Sequence, residues 1–203
     1  NSIIITGIPI KQKFSKQVSR QKILTDLGLD NSRPVLLIVG GKITYGNLLK
    51  IFKGIKEKNK DVQFIIVTGR DHNLQDRLEK SEIKKDPLVR IFGFIDNLEE
   101  LMASAALILT KAGGLTVAEC LSERLPMVIN DIIPGQEEDN VDYIVRHQAG
   151  VKAHSAKDAV EAITKLLSDT ERLQEMRENC QKIAKPEAAN VLVDFVASRL
   201  SAE

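Results

Sequence analysis

The sequence carries almost no net charge: 29 basic and 28 acidic residues leave +1 over 203 residues. That balance argues against general affinity for nucleic acid or anionic lipid, both of which call for a surplus of Lys and Arg. Cysteine is nearly missing. Cys120 and Cys180 stand in no metal or redox spacing and fall in helix-like runs, so buried free thiols in a reducing compartment are expected. His72, His147 and His154 are scattered, which offers neither a metal site nor a nucleophilic triad. The longest apolar runs reach about five to seven residues, against roughly twenty for a membrane span. The chain opens Asn1-Ser2-Ile3, with no signal sequence after it, and reads as a piece of a larger protein. Repeats, low-complexity tracts and an internal boundary are also missing.

What is present is a 43% hydrophobic chain, enough for one sizeable core. Short runs dense in Val and Ile recur at Val35–Val39, Val62–Val67, Leu88–Phe92, Leu107–Thr110 and Met127–Asn130. They lack polar alternation, which predicts strands buried on both faces. Ile3–Ile5 and Val151–Ala153 are weaker candidates. Helical patterns lie between, at Ser15–Leu27, Gly46–Asn59, Asn73–Lys80, Asn97–Ala105, Leu115–Glu123 and Glu137–His147. Lys157–Leu167, Thr170–Ala184 and Ala188–Leu200 come after them. Strand and helix alternate at βαβ spacing. The expectation is a single α/β domain over 1–203: a Rossmann-like, doubly wound parallel sheet with a helical C-terminal tail.

Ligands of such sheets bind at the carboxyl ends of the strands. The informative residues are therefore those just after each strand: Gly40-Gly41-Lys42, Thr68-Gly69-Arg70, Gly93 to Asp96, Lys111 to Gly114, and Asp131 to Asn140. In "TKAGGLTVAE" two glycines join a strand to a helix, and the amides of Leu115, Thr116 and Val117 open that helix. Helix-start amides with the helix dipole favour an anion, a diphosphate above all. The same stretch fits a capping box, Thr116-x-x-Glu119, which would close those amides internally. Both readings stand at this point, and they differ over whether Glu119 folds back or points outward. Pro134-Gly135-Gln136-Glu137-Glu138-Asp139-Asn140 is either an acid-rich first turn or a set of side chains that read sugar hydroxyls. Gly40-Gly41-Lys42 is neither a G-x-G-x-x-G nor a P-loop.

Taken together, Gly93-Phe94-Ile95-Asp96-Asn97-Leu98, Thr110 to Glu119, and Pro134 to Asn140 resemble the C-terminal half of a GT-B glycosyltransferase. The similarity is to monogalactosyldiacylglycerol synthases and processive diacylglycerol glucosyltransferases, and more distantly to MurG. Ala184-Lys185-Pro186-Glu187-Ala188 and the opening Thr6-Gly7-Ile8-Pro9 extend it over nearly the whole chain. The resemblance implies a UDP-sugar donor domain, with the lipid acceptor, the general base and the membrane contact on an N-terminal domain absent here. It implies that main chain at Phe94 and Ile95 meets uracil. The turn Gly113-Gly114 with Leu115 and Thr116 would hold the diphosphate, and Glu119 would accept from ribose. Gln136, Glu137, Asp139 and Asn140 would face the sugar, and Gly41 would lie beside the donor. It further implies an inverting hexosyl transfer without metal or other cofactor, and a cytoplasmic protein peripheral on the inner face of the cell membrane. These residues alone would bind UDP and transfer nothing. One departure is the loop Gly40 to Gly46, often longer and richer in glycine in the family; here Lys42 brings a charge. The alternatives are half of a UDP-sugar epimerase and a non-catalytic nucleotide-binding module.

Overall fold

The computed structural model describes residues 3–15, 18–40, 43–130 and 137–200. Five dense apolar runs are strands: β1 (Val35–Val39), β2 (Gln63–Val67), β3 (Val89–Phe92), β4 (Leu107–Thr110) and β5 (Met127–Ile129). A sixth, β6 (Gly150–Lys152), begins one residue before the expected Val151. All neighbours pair in parallel, in the order β3-β2-β1-β4-β5-β6. This is the doubly wound arrangement, and its strand order reverses between β1 and β4.

The strands lack polar alternation because helices cover both faces. Leu36, Ile38, Phe64, Ile66, Leu107 and Leu109 feed one core. That core is closed by α2 (Tyr45–Lys58), α3 (His72–Glu79), α4 (Glu82–Lys85) and α8 (Ala156–Leu167). Val35, Leu37, Ile65, Val67, Ile108 and Met127 feed the other. It is closed by α1 (Arg20–Asp26), α5 (Leu98–Ser104), α6 (Gly114–Ser122) and α7 (Glu138–Arg146). The helix α9 (Thr170–Ile183) serves both, with Leu173 and Met176 in the first core and Cys180 in the second. Each fully buried Leu or Ile contributes about 1.5–3 kcal/mol, so cover on both sides holds strands of only three to five residues.

Cys120 and Cys180 are buried and free, as expected. Burial pushes both thiols up, Cys180 to about 12. The last helix, α10 (Ala188–Leu200), buries Ala188 but leaves Val191, Leu192, Val193, Val196 and Leu200 exposed.

Two local expectations fail, and one element had not been expected. Ile3–Ile5 forms no strand: Ile3 is 94% and Ile5 85% exposed, and neither joins the sheet. The helix expected over Ser15–Leu27 is instead a 3-10 turn at Gln12–Ser15 followed by α1. Ser19 starts α1 as its N-cap, accepting from the Lys22 amide at 3.3 Å. The four-residue α4 was not anticipated, since one turn shows no period.

Candidate functional site

The strand order sets the carboxyl ends of β1 and β4 side by side, where an open α/β sheet has its crevice. Gly41 and Lys42 after β1, and Gln136 after β5, lie outside the described residues. The turn after β4 and the starts of α6 and α7 are described from Lys111 to Gly114 and from Glu137 onward.

Helix α6 starts directly off β4. Gly113 is its N-cap, with φ −63° and ψ 132°, and no side chain caps it. The Val117 amide donates to Gly113 O at 2.9 Å. Among the described residues nothing accepts from the amides of Gly114, Leu115 or Thr116, the first three of the helix. Thr116 is thus the third helical residue rather than the cap, and the Thr116–Glu119 box does not form. Gly113 has a backbone conformation open to any residue, and among the described residues a Cβ there would meet nothing nearer than Lys111 Cε and Nζ at 3.7 Å. Neither strain nor internal packing demands a glycine; unobstructed approach from outside does account for one. At Gly114 a Cβ would come within 3.0 Å of Ile8 Cδ1, so packing contributes there.

The start of α7 braces this turn. Lys111 Nζ lies 2.6 Å from Glu137 Oε1, and Glu137 is 4% exposed. Asn140 Nδ2 donates to Ala112 O at 2.9 Å. Two of the residues expected at a sugar therefore hold the backbone that presents the α6 amides. Asp139, on the same turn, is exposed.

In the loop after β3, the Phe94 side chain is 60% exposed and Arg70, from the loop after β2, sits 5.3 Å above its ring. Ile95 packs into the second core. Lys13 donates to the main-chain oxygen of Asp96. Glu119 is half-buried on α6. Burial raises its pKa, Lys11 and Lys13 pull it down, and Glu99 raises it further. Its helix packs against the Gln12–Ser15 turn, whose Lys13 touches Asp96. Sequence reasoning placed the loops but not Lys13, Arg70 or the Lys111–Glu137 pair. Arg70 and Lys111 stood in the loops that were singled out, whereas nothing in the sequence marked Lys13.

All-parallel strands in this order, with open loops at the carboxyl edge, define a Rossmann-like domain of the kind that forms one half of a GT-B glycosyltransferase. Residues 35–192 match the family described as Glycosyltransferase family 28 C-terminal domain, and the chain belongs to that family. It is 34% identical over 197 residues to the probable monogalactosyldiacylglycerol synthase 3, chloroplastic, of Oryza sativa subsp. japonica, covering 93% of this chain and 38% of the relative. It is 28% identical over 203 residues to the processive diacylglycerol beta-glucosyltransferase of Bacillus pumilus, covering 97% and 51%. Among solved structures, Anabaena HepE in complex with UDP-glucose superposes with a TM-score of 0.67 at 15% identity, covering 94% of this chain and 55% of that one. The chain thus spans about half the length, or less, of the curated relatives it matches.

Proposed function

We propose that this domain binds a UDP-sugar and is the donor half of an inverting glycosyltransferase whose whole chain passes a hexose to a lipid acceptor such as diacylglycerol. The observation that carries the reading is the open start of α6: three helical amides unclaimed among the described residues, behind a glycine that internal packing does not require. The names of the two relatives support the lipid acceptor, and the UDP-glucose in HepE supports the donor.

In this reading the diphosphate sits on the amides of Gly114, Leu115 and Thr116. Main chain at Phe94 and Ile95 meets uracil, and Glu119 accepts from the ribose hydroxyls. Asp139 and Gln136 reach the sugar, while Glu137 and Asn140 act chiefly by holding the turn. The acceptor oxygen bonds to the anomeric carbon as its bond to the diphosphate breaks, and UDP departs with the electron pair. Fixed amides stabilise that charge in place of a metal ion. The base that takes the acceptor proton belongs to the other half of the protein. In this reading membrane contact belongs to the full-length protein, as a peripheral one on the inner face; among the described residues no helix is long and apolar enough to cross a membrane.

Calorimetric titration of this chain with UDP, UMP and ADP tests the reading. UDP should bind about 10–100-fold tighter than UMP, from charge-assisted bonds to the second phosphate, and tighter than ADP, from the base. Equal affinity for UDP and UMP would empty the α6 start of its role. No binding at all by the folded chain would count against the reading as a whole.

A further inference from the structure

The turn Gln12–Ser15 lies ahead of the sheet, yet it is packed as part of the domain. Ile10 and Phe14 are buried in the second core beside Val117, Cys120 and Leu121 of α6. These anchors fix the register of the turn and send the Lys13 side chain toward the loop after β3. There its Nζ does two things. It donates to the main-chain oxygen of Asp96, 83 positions away, and it lies 2.6 Å from Oε2 of Glu99 in the first turn of α5. Glu99 is largely buried, and the contact is a charge pair rather than an aligned hydrogen bond.

The loop has few other restraints. Ile95 packs in the core, and the Thr68 amide and hydroxyl hold Phe92 O, at the end of β3. Asn97, the N-cap of α5, does not close on its helix; its Nδ2 donates to Glu100 Oε2 at 2.6 Å. Among the described residues no other hydrogen bond reaches the main chain of Gly93, Phe94, Ile95 or Asp96. Lys13 is therefore the polar tether of this loop. The turn after β4, by contrast, is braced by Asn140 and the Lys111–Glu137 pair, neither of which involves Lys13.

We propose that Lys13 is a positioning residue for base recognition, fixing the loop Phe94–Asp96 so that its main chain selects uracil without Lys13 touching the nucleotide. The proposal rests on the UDP reading above. Main-chain recognition depends on angle as well as distance, because a hydrogen bond weakens steeply as it bends. A loop that must also be ordered on binding adds a further entropic cost. Loss of the tether should therefore act on the base and spare the diphosphate.

The test is titration of the wild-type chain and of Lys13→Met, Lys13→Arg and Glu99→Gln with UDP and with ADP, each beside a thermal melt. In Lys13→Met the preference for UDP over ADP should fall about tenfold, or ~1.4 kcal/mol, while ADP affinity stays within about twofold. Lys13→Arg should restore most of the preference. Glu99→Gln leaves the Asp96 bond in place and should lose part of it, which keeps the question open to measurement should Lys13→Met not fold. An unchanged preference in Lys13→Met overturns the proposal while leaving the UDP reading intact. Equal losses for both nucleotides, tracking a lower melting temperature, would make Lys13 merely structural and overturn it as well. A wild-type chain with no preference for uridine defeats the reading of the loop itself, and the proposal with it.

Discussion

Six helices of this domain begin under a side chain that accepts from their own first amides: Ser19 on α1, Thr44 on α2, Asp71 on α3, Ser81 on α4, Ser155 on α8 and Asp169 on α9. Among the described residues three begin without one, namely α5 at Asn97, α6 at Gly113 and α7 at Glu137. A side-chain cap stabilises a helix by about 0.5–2 kcal/mol, so its omission from three neighbouring helices forgoes appreciable stability. The position of the omissions is informative. All three helices pack on the same face of the sheet, and they come after β3, β4 and β5 at its carboxyl edge. The capped starts of α2 and α3 come after β1 and β2 at that edge too, so the edge itself does not forbid capping. Where stability alone decides, this chain closes its amides. On one face of one edge, among the described residues, it does not, although Asn140 and Glu137 hold the turn beside them through Ala112 O and Lys111.

Giving α6 the kind of residue that caps α3 and α9 should break the contrast most sharply. Gly113→Asp suits the observed backbone, and among the described residues its Cβ would make only ordinary contacts, with Lys111 and Glu137. It should lower UDP affinity by about a hundredfold, ~3 kcal/mol, because the new carboxylate takes the amides and repels phosphate. The melting temperature should hold or rise. Undiminished UDP binding in a titration would show that these amides are not the anion site.

The other end of α6 sharpens the comparison. Glu123 is its C-cap, an acid at the negative end of the helix dipole. Burial, with help from the charge of Glu99, raises its pKa to about 8. The folded state therefore keeps a proton that the unfolded chain has already released, so stability should fall as pH rises from about 4.5 to about 8 and then level off. Glu123→Gln should flatten that slope and stabilise the chain at pH 8 by about 1–2 kcal/mol, a figure reduced for partial solvent screening. Denaturant melts of both proteins at pH 5 and pH 8 measure it; parallel pH profiles would refute the assignment. The smallest effect belongs to an ordinary cap. Asp169→Ala should cost about 1 kcal/mol and 2–4 °C of melting temperature while leaving UDP affinity unchanged, as a melt and a titration side by side would show.

Strands were the most legible part of the sequence, because runs such as Val35–Val39 are covered on both faces and carry no polar interruption. The loops that matter were legible for the same reason, since each begins where an apolar run stops. Helix starts were less so. Thr116-Val117-Ala118-Glu119 has the spacing of a capping box, but the N-cap of α6 falls three residues earlier, at Gly113, and the pattern goes unused. The break between the Gln12–Ser15 turn and α1 was hidden because apolar spacing continues through it, and only the Ser19 cap marks the restart. Lys13 was invisible. Its partners Asp96 and Glu99 are brought to it by the packing of Phe14 on α6, and no local pattern encodes contacts across so much chain.

The strand order also makes the sheet a ruler. The end of β3, beside Phe94, and the end of β4, beside Gly113, are separated by β2 and β1. Three strand spacings put them about 14 Å apart. On the proposed reading, a molecule that grips both ends has its flat, edge-reading group and its outermost anion set at about that separation. On that reading, ligands one phosphate too short, however well they match either end, would occupy only one of the two marks.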